Sequence, residues 1–213
     1  MVGLALVASP REGNTAAAAH DLLAAWAGQD RHAEELTLSS ASIKPIDDCA
    51  RCVAASACHI HDDFGRVMDR IYAADLLVMA TPLYWYGPSA SLKLLIDRWS
   101  CLLDLDGDEF RARMRGKRTA IVIAQGEQGF YEVAPCLQML EWTLRYLDMV
   151  VATRVVVVGH GRDDYAADRP QRDRLAEVGT ELARSQVAPD MLPPWFHVPH
   201  VPSQPLGGIF KKD

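Results

Sequence analysis

The chain has 213 residues, of which 49% are apolar and 23% charged, with a formal net charge of −6. These values are typical of a globular protein and argue against a disordered chain or a fibre. No cluster of Lys and Arg is long enough to follow a nucleic-acid backbone, and no run reaches the roughly 18 apolar residues of a membrane span. Residues 1–8 lack the basic flank and cleavage site of a signal peptide, so we expect a cytoplasmic protein.

Short apolar runs alternate with helical patterns along the chain. The first run, Val2–Ala8, ends at Ser9 and is typical of a strand that is buried on both faces of a parallel sheet. A helix rich in Ala and Leu is predicted over Ala16–Ala27, and a shorter strand over His32–Leu38. The later strands are predicted at Leu76–Ala80, Ala120–Ala124 and Val155–Val158.

Helical spacing of apolar residues separates the later strands. The first of these helices begins behind the capping pair Asp62 and Asp63. The apolar faces are Phe64, Val67, Met68, Ile71 and Tyr72; Leu92, Leu95, Ile96, Trp99 and Leu103; Val133, Cys136, Leu137, Leu140, Leu144 and Leu147; and Leu175, Val178 and Leu182. Five strand–helix units predict an α/β fold whose parallel sheet has helices on both faces. Two doubly wound strand orders are common, and in both the ligand binds at the carboxyl ends of the strands.

The composition of the chain changes near residue 188. Residues 188–213 hold six of the 12 prolines, so this segment cannot be helical. We therefore expect a domain over residues 1–187 and an extended, Pro-rich tail over 188–213. Four apolar aromatic and aliphatic side chains make the tail too apolar to stay free, so we expect it to lie across a neighbouring subunit of a homodimer. They are Trp195, Phe196, Ile209 and Phe210.

The loop after the first strand has the composition of a phosphate-binding turn. Gly13 permits close approach of the backbone, and the next helix presents free N–H groups and the positive end of its dipole. Arg11 adds a positive charge, and Ser9, Asn14 and Thr15 add polar donors. The same residues could cap a helix that binds nothing, but we favour phosphate because the donors cluster at the carboxyl end of a strand. Dinucleotide and P-loop fingerprints are absent from the sequence, which leaves a mononucleotide.

The loop after the third strand carries three consecutive aromatic residues, Tyr84, Trp85 and Tyr86, between a proline and a glycine. At the ligand edge of a sheet, such side chains suit a flat ring. The alternative is that they pack on neighbouring loops or on a partner subunit.

These two segments, extended through Lys93, Asp97 and Arg98 to Trp99, resemble the NAD(P)H-dependent FMN reductase and iron–sulfur flavoprotein branch of the flavodoxin-like superfamily. The resemblance spans residues 1 to about 160. It implies a three-layer sandwich with a five-stranded parallel sheet of order 2-1-3-4-5. It also implies FMN as the cofactor, bound by Ser9, Arg11, Gly13, Asn14, Thr15, Thr81, Pro82, Leu83, Tyr84, Trp85, Tyr86, Gln125 and Gly126, with Glu127 beside them.

The function that this resemblance implies is an oxidoreductase. Hydride would pass from NAD(P)H through tightly bound FMN to a small-molecule acceptor: a quinone, a nitro or azo compound, or a flavin. Because this transfer needs no protein acid or base, we assign no catalytic residue, and we interpret Lys93 and Asp97 as a surface ion pair. The alternatives are an electron-carrier flavodoxin-like protein and a flavin-free interaction protein that kept the fold.

A cysteine-rich segment lies between the second strand and the second helix. Cys49, Cys52 and Cys58 occur there with two histidines, but Ala55 stands where the iron–sulfur members of the family have a further cysteine. Three cysteines cannot complete the all-cysteine ligation of a four-iron cluster. We therefore expect a metal-free packing loop, and zinc on the three cysteines and a histidine is the alternative. The other two cysteines, Cys101 and Cys136, are expected in the core.

Overall fold

The computed structural model describes residues 1–47, 49–126 and 128–193, without the side chains of Cys49, Arg51 and Phe130. Five strands form one parallel sheet in the order β2-β1-β3-β4-β5, which confirms the predicted topology. The strands are β1 (Val2–Val7), β2 (His32–Thr37), β3 (Leu76–Pro82), β4 (Arg118–Gln125) and β5 (Val150–Val158).

The helices cover both faces of the sheet. They are α1 (Asn14–Ala27), α2 (Cys49–Ala55), α3 (Phe64–Ala73), α4 (Ala90–Met114), α5 (Phe130–Tyr146), α6 (Asp164–Ala167) and α7 (Arg169–Arg184). One core lies between the sheet and helices α3, α4 and α5, and the other lies between the sheet and helices α1 and α7. This three-layer arrangement confirms the flavodoxin-like fold. In the described part of the chain, no helix is both long and apolar enough to cross a membrane.

The strands supply both cores because successive side chains point to opposite faces of the sheet. In β1, Leu4 and Leu6 face the core under α3 to α5, whereas Ala5 and Val7 face the core under α1 and α7. All four are at most 3% exposed. Burial on both faces explains why the strands read as continuous apolar runs rather than as alternating patterns.

Several elements differ from the sequence prediction. Helix α4 continues beyond the predicted Leu103 to Met114 across a break at Asp106 (φ −155°, ψ 71°), because Phe110 and Met114 are buried and resume the apolar face. The short helices α2 and α6 were not predicted, since they are shorter than the window in which helical periodicity can be recognised. The predicted Lys93–Asp97 pair is confirmed at 2.5 Å between Nζ and Oδ1. Both cysteines expected in the core are 1% exposed.

The first residues of the predicted tail belong to the edge of the sheet. The Ala188 N–H donates to Ala152 O at 3.0 Å, and the Met191 N–H donates to Arg154 O at 2.9 Å. In return, Met191 O accepts the N–H of Val156 at 2.9 Å in a parallel bridge. The chain therefore leaves this edge in the direction of the carboxyl ends of the strands. The tail aromatics at 195, 196 and 210 lie outside the described residues, so the course of the tail stays a prediction.

Candidate functional site

A cavity of about 140 Å³ lies at the carboxyl ends of β1, β3, β4 and β5. Residues from three loops that the sequence singled out line it: Ser9, Arg11, Gly13, Asn14, Thr15, Pro82, Leu83, Tyr84, Gln125 and Gly126. A fourth loop, after β5, was missed; with Ala124 it supplies Gly159, His160, Gly161 and Arg162. Glu127, the predicted neighbour of Gly126, lies outside the described residues.

The loop between β1 and α1 is a tight turn that leads into the helix. The Ser9 hydroxyl donates to Arg11 O at 2.6 Å and accepts the Arg11 N–H at 3.4 Å. Helix α1 then begins at Asn14 with no acidic residue in its first turn. The first N–H groups of a helix have no partner within the helix, so this end offers donors and a positive dipole to an anion. The residues present therefore fit a phosphate group.

Asn14 contributes differently from the sequence prediction. Its Nδ2 donates to Gly159 O at 3.0 Å and to Gly161 O at 2.8 Å, and its Oδ1 accepts the Tyr165 N–H at 3.1 Å. These bonds occupy the side-chain amide that was expected to contact phosphate. A ligand at this position is left with the backbone N–H of Asn14.

The loop after β3 is shaped by a buried threonine. Thr81 is fully buried, and its Oγ1 donates to Pro82 O at 2.9 Å and accepts the Ser89 N–H at 2.9 Å. It therefore supports the loop from beneath and does not line the cavity.

A strained turn carries the aromatic residues. Tyr84 and Gly87 exchange two backbone hydrogen bonds of 2.9 and 3.0 Å, and between them Trp85 and Tyr86 have φ values of 47° and 65°. Left-handed backbone costs a non-glycine residue about 1–2 kcal/mol, and such strain is concentrated at functional sites. Trp85 is 94% exposed, and it directly follows the lining residue Tyr84. The turn thus holds a flat apolar ring in solvent next to the cavity.

Gln125 gives the clearest sign that the cavity receives a polar ligand. Its side chain is 4% exposed, and neither Nε2 nor Oε1 has a hydrogen-bond partner within the described residues. A buried polar group without a partner costs about 1–3 kcal/mol, so each such group in a native protein needs an explanation. The rim of a flavin ring carries both donors and acceptors and can satisfy both ends of this amide. The lining residues therefore fit a flavin as well as its phosphate.

The cysteine segment contains helix α2, which corrects the expected loop. Cys52 Sγ lies 3.0 Å from His59 Nδ1, and His59 Nε2 lies 3.1 Å from Asp47 Oδ2. Cys58 lies beside the guanidinium of a buried arginine instead. Among the described side chains, which do not include that of Cys49, no three His, Cys, Asp or Glu residues form a metal-binding group. The absence of a metal stays a prediction.

Comparison with known proteins identifies the family. The model of the family described as NADPH-dependent FMN reductase matches residues 1–163. YwqN of Bacillus subtilis, named as an NAD(P)H-dependent FMN-containing oxidoreductase, is 32% identical over 149 residues, which cover 70% of this chain and 82% of the relative. The iron–sulfur flavoprotein MJ1083 of Methanocaldococcus jannaschii is 34% identical over 91 residues, which cover 42% of this chain and 47% of the relative.

The fold has solved counterparts at lower identity. The NAD(P)H:quinone oxidoreductase from Methanothermobacter marburgensis superposes with a TM-score of 0.67 at 17% identity, over 85% of this chain and 96% of that structure. At this sequence identity, the structural similarity supports the fold and not the function. The family match over residues 1–163 and the long alignment to YwqN carry the assignment. The chain belongs to the NADPH-dependent FMN reductase family and is an FMN-dependent NAD(P)H oxidoreductase.

Proposed function

We propose that the protein passes electrons from NAD(P)H through its FMN to a flat organic acceptor: a quinone, a nitro or azo compound, or a free flavin. The observation that supports a flat acceptor is the strained turn, which keeps Trp85 94% exposed beside the cavity. An exposed indole offers an aromatic face for stacking. Bound FMN supplies the chemistry, because it accepts a hydride and releases electrons to a second substrate.

The side chains of the site would bind and orient rather than transfer protons. The N-terminus of α1 and Arg11 would hold the FMN phosphate, and Gln125 would hydrogen-bond the flavin ring. The backbone of Pro82–Tyr86 would lie along the edge of the ring. None of these roles requires an acid or a base, so we propose no catalytic residue of that kind.

Steady-state oxidation of NADH and NADPH with a panel of acceptors tests this function. We expect turnover with at least one quinone, nitro, azo or flavin acceptor. Replacement Trp85→Ala should raise KM for the acceptor, whereas the rate at which NAD(P)H reduces the flavin in the absence of acceptor should stay unchanged. A protein that binds FMN but oxidises NAD(P)H with none of these acceptors would instead be an electron carrier.

We further propose a cytoplasmic homodimer in which the tail contacts the neighbouring subunit. The apolar residues of the tail support this proposal, as does the anchoring of Ala188 and Met191 on β5. Removal of residues 194–213 should lower the molar mass in light scattering from dimer to monomer, whereas removal of 211–213 should not. An unchanged mass after the longer truncation contradicts a role for the tail. Cell fractionation tests the location.

A further inference from the structure

The loop after β5 is attached directly to the phosphate-binding turn after β1. Two carbonyl groups of the loop, those of Gly159 and Gly161, accept from the Asn14 amide. In the opposite direction, Arg162 Nε donates to Glu12 O at 3.0 Å. A Cβ on Gly159 would lie 2.6 Å from Asn14 Nδ2, so only glycine allows this contact. The two loops therefore form one structural unit.

A second set of contacts fixes this unit on α1. The Tyr165 ring is fully buried, and its hydroxyl donates to Asp21 Oδ2 at 3.0 Å. Arg172 Nε donates to the same carboxylate at 2.9 Å. Because α1 also carries Asn14, the loop after β5 is held in position on the helix that follows the phosphate-binding turn. Such preorganisation lowers the entropy cost of binding a ligand.

The described lining of the cavity carries positive charge that no carboxylate in it balances. Arg11 and Arg162 both line it, and none of its described lining residues is Asp or Glu. Only Nε of Arg162 is engaged, and in the described part of the chain its two Nη groups and the guanidinium of Arg11 have no hydrogen-bond partner. Two guanidinium groups that line one small cavity favour the binding of an anion there. A phosphate dianion satisfies both, because guanidinium binds phosphate through paired N–H donors.

We propose that Arg162 is a second arginine for the FMN phosphate, supplied by the loop after β5, and that Asn14 is a positioning residue that holds this loop in place. The inference rests on the proposed FMN site. Its consequence is selectivity for FMN over riboflavin, because the phosphate, which riboflavin lacks, would be held by charges from two loops.

The test compares FMN with riboflavin, which differ only in the phosphate. Dissociation constants of both are measured on the full chain freed of flavin, by the quenching of flavin fluorescence. Arg162→Ala should weaken FMN roughly tenfold to hundredfold, as expected for the loss of a charged hydrogen bond, and should leave riboflavin within about twofold. Arg162→Lys should recover part of the loss. Arg174→Ala, an exposed arginine on α7 outside the cavity lining, is the matched control and should change neither constant.

The role of Asn14 is tested by a double-mutant cycle. Asn14→Ala should lower the ratio of FMN affinity to riboflavin affinity. In a protein that already carries Asn14→Ala, the further change Arg162→Ala should weaken FMN binding much less than it does in the wild type. A purely structural role for Asn14 would weaken both flavins equally. If the wild type prefers FMN but Arg162→Ala leaves this preference intact or weakens both flavins alike, the inference is overturned while the FMN site stands. If the wild type binds neither flavin, both proposals fail.

Discussion

Replacing Gln125 by methionine should shift the stability of the apoprotein and the affinity for FMN in opposite directions. Methionine has a similar volume but no polar amide, so the change removes two buried atoms that have no partner in the described structure. Each costs about 1–3 kcal/mol, from which a packing mismatch of less than about 1.5 kcal/mol is subtracted. For the two atoms together, this leaves a net gain of about 0.5–6 kcal/mol in the free energy of unfolding of the apoprotein. In a chain of this size, each kcal/mol corresponds to about 2–4 °C in Tm.

The same substitution should weaken FMN, because one or two hydrogen bonds to the flavin are lost at about 0.5–1.5 kcal/mol each. Calorimetric melting without FMN and fluorescence titration with FMN measure the two effects on one preparation. Gln138→Met, at an exposed position on α5, is the control and should change neither. A lower Tm of the apoprotein together with unchanged FMN affinity would refute the reasoning, because Gln125 would then be an ordinary structural residue.

Three further predictions concern the aromatic turn, a buried ion pair and the cysteine segment. Trp85→Gly should be more stable to urea than Trp85→Ala by about 1 kcal/mol, because only glycine relieves the left-handed backbone; equal stabilities would contradict the strain. Although burial acts to raise the pKa of Asp62, hydrogen bonds from backbone N–H groups and from Arg98 lower it. Ionised Asp62 therefore stabilises the fold above about pH 4, and this contribution is lost as the pH falls through the lowered pKa. The free energy of unfolding should consequently fall more steeply below pH 4 in the wild type than in Asp62→Asn. Parallel curves would show that ionised Asp62 does not contribute to the pH dependence of stability. Elemental analysis of anaerobically prepared protein should find no stoichiometric iron, sulfide or zinc; stoichiometric zinc that is lost in Cys49→Ser would overturn the prediction.

The sequence alone was sufficient to predict a parallel sheet, a core on each of its faces, and ligand-binding loops after β1 and β3. These features depend on neighbours in the chain: an apolar run such as Val2–Val7 marks a buried strand, and glycine, donors and aromatic residues directly after a strand mark its ligand end. The family resemblance supplied the strand order, because periodicity leaves more than one doubly wound order open. The length of α4 was underestimated because the break at Asp106 interrupts its apolar spacing.

Only the tertiary structure showed which residues complete the site. The Asn14 amide binds the carbonyls of Gly159 and Gly161, which lie 145 and 147 residues further along the chain. No local sequence pattern predicts a partner at that distance. Arg162 belongs to no motif, and it reaches the cavity because the loop after β5 packs on the start of α1. In the sequence, Gln125 is likewise an ordinary polar residue at the end of a strand. Only the structure shows that its amide is buried without a partner among the described residues. Local patterns record which residues are near in the chain, whereas the charge and the hydrogen bonding of this cavity arise from strand ends that the folded sheet brings together.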